Sequence, residues 1–449
     1  MTAPASRLVC SGCGSSPGAD EPYPFRCPFA AEGDIDHVLV RAIDASRVSF
    51  PREHTALTEP FVRYRSLLHC YHRAVSGGMT DGEFVALVDR CDSAVAAVAG
   101  HGFATTPFGR NDHLSKNLGF GDGGGVWVKD ETGNVAGSHK GRHLMGVLLH
   151  LEVAQSLGLA GRQGRPSLAI ASCGNAALAA AVVAAAGGWH LRVFVPEGAP
   201  SGIVGRLDAL GADVVVCERR PGVAGDPAYV SLREEIGKGA LPFTCQGNEN
   251  GLAIEGGETL GYEIVSDLLE GEEHLDHLVV QVGGGALASA CGQAFDEAAQ
   301  LGTGARRPRL HTVQTLGAHP LERAYRLVEG SLPATPRPAD IDRALHRAAS
   351  HRSGYMWPWE SEPKSIATGI LDDETYDWLA VVGGMLRSGG RPTVVSEDLL
   401  AEAQHLGTDA GFSVDATGTA GLAGLLALRS EGVVGPDEKV AVLFTGAAR

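Results

Sequence analysis

The stretch Leu278-Val279-Val280-Gln281-Val282-Gly283-Gly284-Gly285-Ala286-Leu287-Ala288-Ser289-Ala290 runs a β-branched apolar segment into three glycines and then into a helical pattern. A short apolar run ending at glycine reads as a buried strand, and the Ala-rich continuation reads as a helix. Three consecutive glycines cost backbone entropy that one turn glycine would not. N–H groups freed where such a turn meets a helix form an anion nest, strengthened by the helix dipole. A phosphate fits there without lysine or arginine, although a merely tight strand-to-helix turn also accounts for the glycines.

The same order recurs upstream in Leu168-Ala169-Ile170-Ala171-Ser172-Cys173-Gly174-Asn175-Ala176-Ala177-Leu178, an apolar run, a polar turn and an Ala-rich helix. Gly174 relieves steric limits in that turn, and Asn175 offers an amide donor and a carbonyl acceptor. Read in isolation, Gly174-Asn175 suits an Asn N-cap better than a ligand contact. Leu191-Arg192-Val193-Phe194-Val195-Pro196 and Asp213-Val214-Val215-Val216 read as further strands, with a helix from Val204 to Leu210 between them. Alternation of this kind predicts an α/β fold with a parallel sheet and sites at the carboxyl ends of its strands.

A lysine set among small residues, Lys140, stands near the end of the segment Val128-Lys129-Asp130-Glu131-Thr132-Gly133-Asn134-Val135-Ala136-Gly137-Ser138-His139-Lys140-Gly141-Arg142. A lysine amine is a nucleophile only when uncharged, so its reference pKa of about 10.4 must be overcome by desolvation or nearby charge. Most lysines are solvated surface charges, and Lys140 draws its meaning from the two glycine-bearing turns that follow it. A helix is predicted from about His143 to Leu157. Gly119-Phe120-Gly121-Asp122-Gly123-Gly124 formally fits G-x-G-x-x-G, but it precedes a strand with no helix after it and reads as a loop. No Walker A lysine motif and no H-E-x-x-H helix occurs in the chain.

Taken in order, Gly137-Ser138-His139-Lys140, Ser172-Cys173-Gly174-Asn175, Gly283-Gly284-Gly285 and Leu443-Phe444-Thr445-Gly446 resemble pyridoxal-phosphate enzymes of fold type II, the tryptophan synthase β-subunit superfamily. Within it the chain is most similar to threonine synthase and its relatives, over roughly residues 106–449. Glu255-Gly256-Gly257-Glu258-Thr259 and Ser365-Ile366-Ala367 resemble that branch rather than cysteine synthases. The resemblance implies a two-domain α/β fold with parallel-rich sheets flanked by helices, plus an N-terminal extension. It implies that Lys140 is the Schiff-base lysine and, once freed, moves protons at the α and β carbons.

By the same resemblance, Asn175 bonds the cofactor's ring hydroxyl and Thr445 faces its pyridine nitrogen. Gly283, Gly284, Gly285, Ala286 and Leu287 present amides to its phosphate. Ser172, with the backbone of Cys173, Gly174 and Asn175, cradles the substrate carboxylate. The implied activity is elimination or replacement at the β or γ carbon of a small α-amino acid, with threonine synthase, taking O-phosphohomoserine and water to threonine and phosphate, as the leading assignment. A serine or threonine dehydratase, or a β-replacement enzyme of specialised amino-acid metabolism, is the alternative within the class. A non-catalytic cofactor-binding relative is the alternative outside it, and the retained lysine argues against that. A homodimer is expected, as this superfamily commonly forms one.

Departures from the branch matter as much. Where its members carry Asn-Pro-Thr-Gly-Ser-Phe-Lys-Asp-Arg-Gly, this chain reads Asn134-Val135-Ala136-Gly137-Ser138-His139-Lys140-Gly141-Arg142-His143. The chain also ends at Ala447-Ala448-Arg449, where a longer tail is usual.

A length of 449 residues, with 44% hydrophobic, has room for two domains and a large core. A formal charge of −16 argues against nucleic acid or an anionic membrane as partner. Arg110, Lys116 and Arg142 lie near the motifs but read as surface charges. No signal peptide pattern opens the chain, and the apolar run from Ala176 to Ala186 is too short to span a bilayer, so a cytoplasmic location is expected. Nine cysteines, an odd number, suit a reducing compartment.

Cys10-Ser11-Gly12-Cys13 and Cys27-Pro28 supply three of the four ligands of a zinc site. The sequence leaves the fourth open between His37 and the His69-Cys70-Tyr71-His72 cluster, and the resemblance to threonine synthases implies a degenerate zinc-ribbon-like start that has lost its metal. The expected organisation is an N-terminal extension over residues 1–102, a large cofactor-binding domain over 103–160 and 245–449, and a small βαβ domain over 161–244. Thr80-Asp81-Gly82-Glu83 predicts a capping box within the extension. Trp357-Pro358-Trp359 suits a pocket wall or plain packing.

Overall fold

The computed structural model describes residues 3–52, 59–161, 164–220 and 225–448; Met1 and Arg449, the chain ends named above, lie outside them. The apolar run before the glycines forms the strand His277–Gln281, buried along its whole length inside a six-stranded sheet. Across that sheet the order is Pro392–Val395, Arg309–Thr315, His277–Gln281, Lys439–Phe444, Gly125–Asp130, Phe108–Arg110. All neighbours are parallel except the edge strand Phe108–Arg110. Alternation along the central strands divides them between two apolar layers. Leu278, Val280, Ala441 and Leu443 face Phe295 and Trp378, whereas Val279, Val440 and Val442 face Leu422 and Leu425.

A second sheet, wholly parallel, runs Asp213–Cys217, Leu191–Pro196, Leu168–Ala171, Leu241–Pro242. Between the sheets lies the helix Lys140–Ser156, packed against helices Ala253–Glu270 and Asn175–Ala186. It is buried on nearly every side, as a helix sandwiched between layers must be. The fold is therefore α/β, with parallel-rich sheets flanked by helices. Among the described residues no helix is long and apolar enough to cross a membrane.

Boundaries differ from the sequence reading in informative ways. The helix predicted to start near His143 starts at Lys140, because Ala136 and Gly137 take positive φ of 56° and 66° and turn the chain into the helix directly. Its cap position, His139, makes no side-chain capping bond, so no capping residue marks the start. The helix expected from Val204 spans Ser201–Ala209, with Pro200 before it. At Thr80 the capping box is present: Glu83 N–H donates to Thr80 Oγ1 at 3.2 Å and Thr80 N–H to Glu83 Oε2 at 2.7 Å. Trp357 and Trp359 sandwich the Arg323 guanidinium, 3.7 Å and 5.1 Å from their ring centres.

Arg142 is no surface charge; its side chain is wholly buried. Its guanidinium bonds Glu131 through Nε at 2.9 Å and Glu263 through Nη1 at 2.7 Å, and Lys129 Nζ reaches Glu263 at 2.6 Å. Two cations and two carboxylates thus share one dry compartment, and the fork geometry of arginine satisfies both acids at once. Arg110 and Lys116 do lie exposed, the former paired with Asp112.

A second buried arginine, Arg41 on strand Leu39–Ile43, meets an excess of acid. It bonds Glu255 at 2.9 Å, Glu297 at 2.6 Å, Tyr262 at 2.8 Å, and Glu258. Burial, with Glu297 and Glu255 adding to it against Arg41, pushes the Glu258 carboxyl up to about 8. A carboxyl raised in the folded state stabilises fully below its unfolded pKa and loses that contribution as pH rises through the folded one. Glu258→Gln is therefore expected to gain stability relative to the parent between about pH 5 and pH 8 and to hold that gain above, measured by denaturant unfolding across pH. An offset that stays flat with pH would show that Glu258 is ionised throughout.

Candidate active site

Lys140 opens its helix half-buried, with the cap at His139 facing the last strand's end. Both the backbone N–H and Nδ1 of His139 lie against the Thr445 carbonyl, at 3.2 Å and 3.1 Å, and Ser138 pairs with Gly446 in an isolated antiparallel bridge. Thr445 Oγ1 accepts from Gln281 Nε2 at 2.8 Å. Gln281 closes the strand that leads into the glycines, so three segments distant in sequence converge through direct hydrogen bonds. Asn175 completes the group: a Cβ placed on Gly446 would lie 2.7 Å from Asn175 Nδ2.

Asn175 is not an N-cap. Gly174 occupies the cap position, with no side-chain cap bond, and Asn175 is the helix's first residue. Its amide is left facing the C-terminal strand instead of its own helix. The turn before it is compact, Gly174 N–H donating to Ser172 Oγ at 3.3 Å.

At the glycines, Gly285 adopts φ of 95° and caps the helix Ala286–Gln300. The first turn of any helix leaves N–H groups without intrahelical acceptors, and these are the amides of the nest. Thr368–Ile370 and the residues after it press on the other side. A Cβ on Gly283 would stand 2.4 Å from Asp372 Oδ2, on Gly284 2.9 Å from Tyr376 Cδ2, and on Gly285 2.9 Å from Thr375 Cγ2. Asp377 N–H donates to the Gly284 carbonyl at 2.9 Å, and Thr375 Oγ1 to that of Gly283 at 3.0 Å.

Asp372 and Asp377 escaped the sequence reading, since an acidic loop carries no signal that separates it from a solvated one. Burial pushes the Asp372 carboxyl up to about 6 and that of Asp377 up to about 7, with the positive charge of Lys140 opposing both. Burial, aided by Lys140, holds His139 well below the ordinary histidine range and brings His143 down to about 3. Both rings beside Lys140 are therefore neutral, and neither competes with it for negative charge. Burial also raises the Cys173 thiol, helped by Asp226 and Asp372. Ser138 Oγ is buried there with no protein partner.

An unpaired hydroxyl beside a lysine, open helix-start amides that accept an anion and an amide held opposite them together suit a ligand with a phosphate, a carbonyl and a hydroxyl. Residues 101–446 match the family described as pyridoxal-phosphate dependent enzyme. The chain belongs to that family, whose members use pyridoxal 5'-phosphate. Among curated relatives, a threonine synthase of Methanocaldococcus jannaschii is 26% identical over 343 residues, covering 76% of this chain and 74% of the relative. One of Methanosarcina acetivorans is 27% identical over 346 residues, with coverage of 76% and 74%. Among solved structures, threonine deaminase isoform 2 of Solanum lycopersicum matches with a TM-score of 0.57 at 18% identity, covering 83% of this chain and 91% of that one. Maize serine racemase matches with a TM-score of 0.56 at 18% identity, covering 80% and 93%. These structures share the fold, and the chain is an enzyme of the lyase and synthase group.

Proposed function

We propose that this chain performs elimination or replacement at the β or γ carbon of a small α-amino acid, with Lys140 moving the protons. One observation carries the reading: the segments that carry Lys140 (through His139), the three glycines (through Gln281) and Asn175 each approach Thr445 or Gly446, although they span residues 140–446. Pyridoxal phosphate, when bound, supplies the electron sink that makes the α proton removable. In this reading Lys140 holds the cofactor at rest and takes the α proton once freed. The amides of Gly283, Gly284, Gly285, Ala286 and Leu287 bind the phosphate, and Asn175 bonds the ring hydroxyl. Thr445 Oγ1 accepts from Gln281, which leaves its own proton to donate to the ring nitrogen. Ser172 and the amides of Cys173, Gly174 and Asn175 orient the substrate carboxylate. Residues 161–244 act as the small domain against a large one of 103–160 and 245–449.

Relatives named threonine synthase support the finer reading, in which water replaces the phosphate of O-phosphohomoserine. One feature favours a second. Burial raises the carboxyls of Asp226, Asp372 and Asp373, and neighbouring acids add to it at Asp372 and Asp373, with Arg219 opposing it at Asp226 and Asp373. Arg142, the nearest arginine in sequence, is spent on Glu131 and Glu263. Such a wall repels a phosphate dianion and suits a substrate with a second ammonium group, such as 2,3-diaminopropionate.

The cofactor-loaded protein is to be given O-phosphohomoserine, serine, threonine and 2,3-diaminopropionate in turn. Phosphate from the first supports threonine synthase. Ammonia from the last, with KM raised roughly tenfold or more by Asp372→Asn, supports the second reading, that factor being the worth of one charged contact. No product from any of the four sinks both.

A further inference from the structure

The N-terminal cysteines lie outside the catalytic reading. Strands Ser6–Cys10 and Leu39–Ile43 form an antiparallel pair in which Cys10 stands opposite Leu39. The turn after Cys10 is tight: Gly14 N–H donates to the Cys10 carbonyl at 2.9 Å, and Cys10 N–H to the Ser15 carbonyl at 2.8 Å. Ser11 N–H reaches the Val38 carbonyl at 2.8 Å, and a Cβ on Gly12 would stand 2.3 Å from the Asp36 carbonyl oxygen. That packing sets the Cys10 to Cys13 turn against the loop carrying His37, and Cys27 comes in from a third segment.

We infer that Cys10, Cys13, Cys27 and His37 form a structural zinc site. Their ligand atoms all lie within 4.8 Å of one another. In a tetrahedron with Zn–S of about 2.3 Å and Zn–N of about 2.0 Å, ligand atoms stand roughly 3.5–3.8 Å apart. Cys13 Sγ is 3.6 Å from Cys27 Sγ, and Cys10 Sγ is 3.5 Å from His37 Nδ1. His37 Nε2 lies 3.0 Å from the Glu32 carbonyl, which assigns the proton to Nε2 and leaves the Nδ1 lone pair facing the thiols. Phe29 N–H donates to Cys27 Sγ at 3.4 Å, the kind of bond that steadies a thiolate ligand. His69 and His72, the other candidates, both bond Ser6 Oγ, at 2.8 Å and 2.7 Å. The four-ligand set is complete, and three thiolates with one imidazole select zinc among common divalent ions.

The site braces the catalytic body from outside. Asp36, next to His37, accepts from Trp378 Nε1 at 3.0 Å, and Trp378 follows Asp377 of the nest's packing segment. Arg41, two residues past the strand position opposite Cys10, bonds Glu297 on the helix that begins at the nest.

Full-length protein refolded or expressed with zinc is expected to hold about one zinc per chain by mass spectrometry. Cys13→Ser should lose it, Cys70→Ser should keep it, and His37→Cys, which builds a four-thiolate site, should keep it as well. Because Cys13→Ser can fail to fold, cobalt substitution of the unaltered protein is the second measurement, with thiolate-to-cobalt charge-transfer and tetrahedral ligand-field bands expected. Near-zero zinc after reconstitution in excess metal, octahedral cobalt spectra, or a Cys13 to Cys27 disulfide in place of metal uptake would each overturn the site.

Discussion

Lys140→Ala is expected to remove the covalently held cofactor and to cut turnover on the order of 10²–10⁴-fold, the range for loss of a positioned proton-transfer group. The change is structurally mild. Lys140 is half-buried at the first position of its helix, where alanine is an excellent residue. Lys140→Arg should fail equally, since a guanidinium keeps the charge but stays protonated. After borohydride reduction, digestion of the parent should yield one cofactor-bearing peptide, the one that contains Lys140. A cofactor mass on another lysine, or turnover in the alanine variant close to the parent's, would remove Lys140 from the mechanism. The neutral state of His139 and His143 sharpens the test, because neither ring offers a substitute base that titrates near neutrality.

Arg142→Met carries the largest expected cost in stability. Removing one partner of a fully buried ion pair leaves the other unpaired in a dry interior, at about 3–5 kcal/mol. Here it leaves Glu131 without a cation and Glu263 with Lys129 alone. Arg142→Lys should restore little, as one ammonium cannot reach both carboxylates as the fork does. Burial alone would raise the Glu263 carboxyl, but Arg142 and Lys129 hold it below the ordinary value. In the parent that contribution is present above the unfolded carboxylate pKa of about 4.3 and is lost as pH falls through the lower folded value. In Arg142→Met the slope reverses: deserted carboxyls take up protons, and the deficit against the parent shrinks on acidification from about pH 8 to pH 5. Urea unfolding at both pH values measures it, and an equal deficit at both would place the loss in packing instead of charge. Arg142 sits two residues after Lys140 in the first turn of the same helix, so the variant should also loosen Lys140 and weaken cofactor retention.

Strand and helix alternation was legible because buried parallel strands need apolar runs and cannot hide them. The run before Gly283 and the one after Pro166 both became central strands. The start of the lysine helix was not legible, since a positive φ at Ala136 leaves no mark in a residue type that seldom adopts one. Asn175 was misjudged alone for a related reason. Gly-Asn before a helix is a good cap locally, and only the assembled chain brings Gly446 from its other end against the Asn175 amide.

The acidic residues beside Lys140 show the same limit. Asp226, Asp372 and Asp377 are spread over some 150 positions, and nothing local distinguishes them from solvated charges. Their raised carboxyls come chiefly from burial, with Asp226 adding to it at Asp372 and Asp36 at Asp377, all properties of the assembled chain. Likewise the sequence showed three metal-binding thiols and several histidines, and strand pairing decided that His37 is the one that meets them.

By itself the sequence determined the α/β class and the order in which the lysine and the glycine-bearing turns occur, because periodicity and turn chemistry act over a few residues. Tertiary structure alone decided which charges are buried, which are paired and which face Lys140. Those depend on contacts between segments hundreds of residues apart, where burial and Coulomb energy, unlike local propensity, are set by the whole fold.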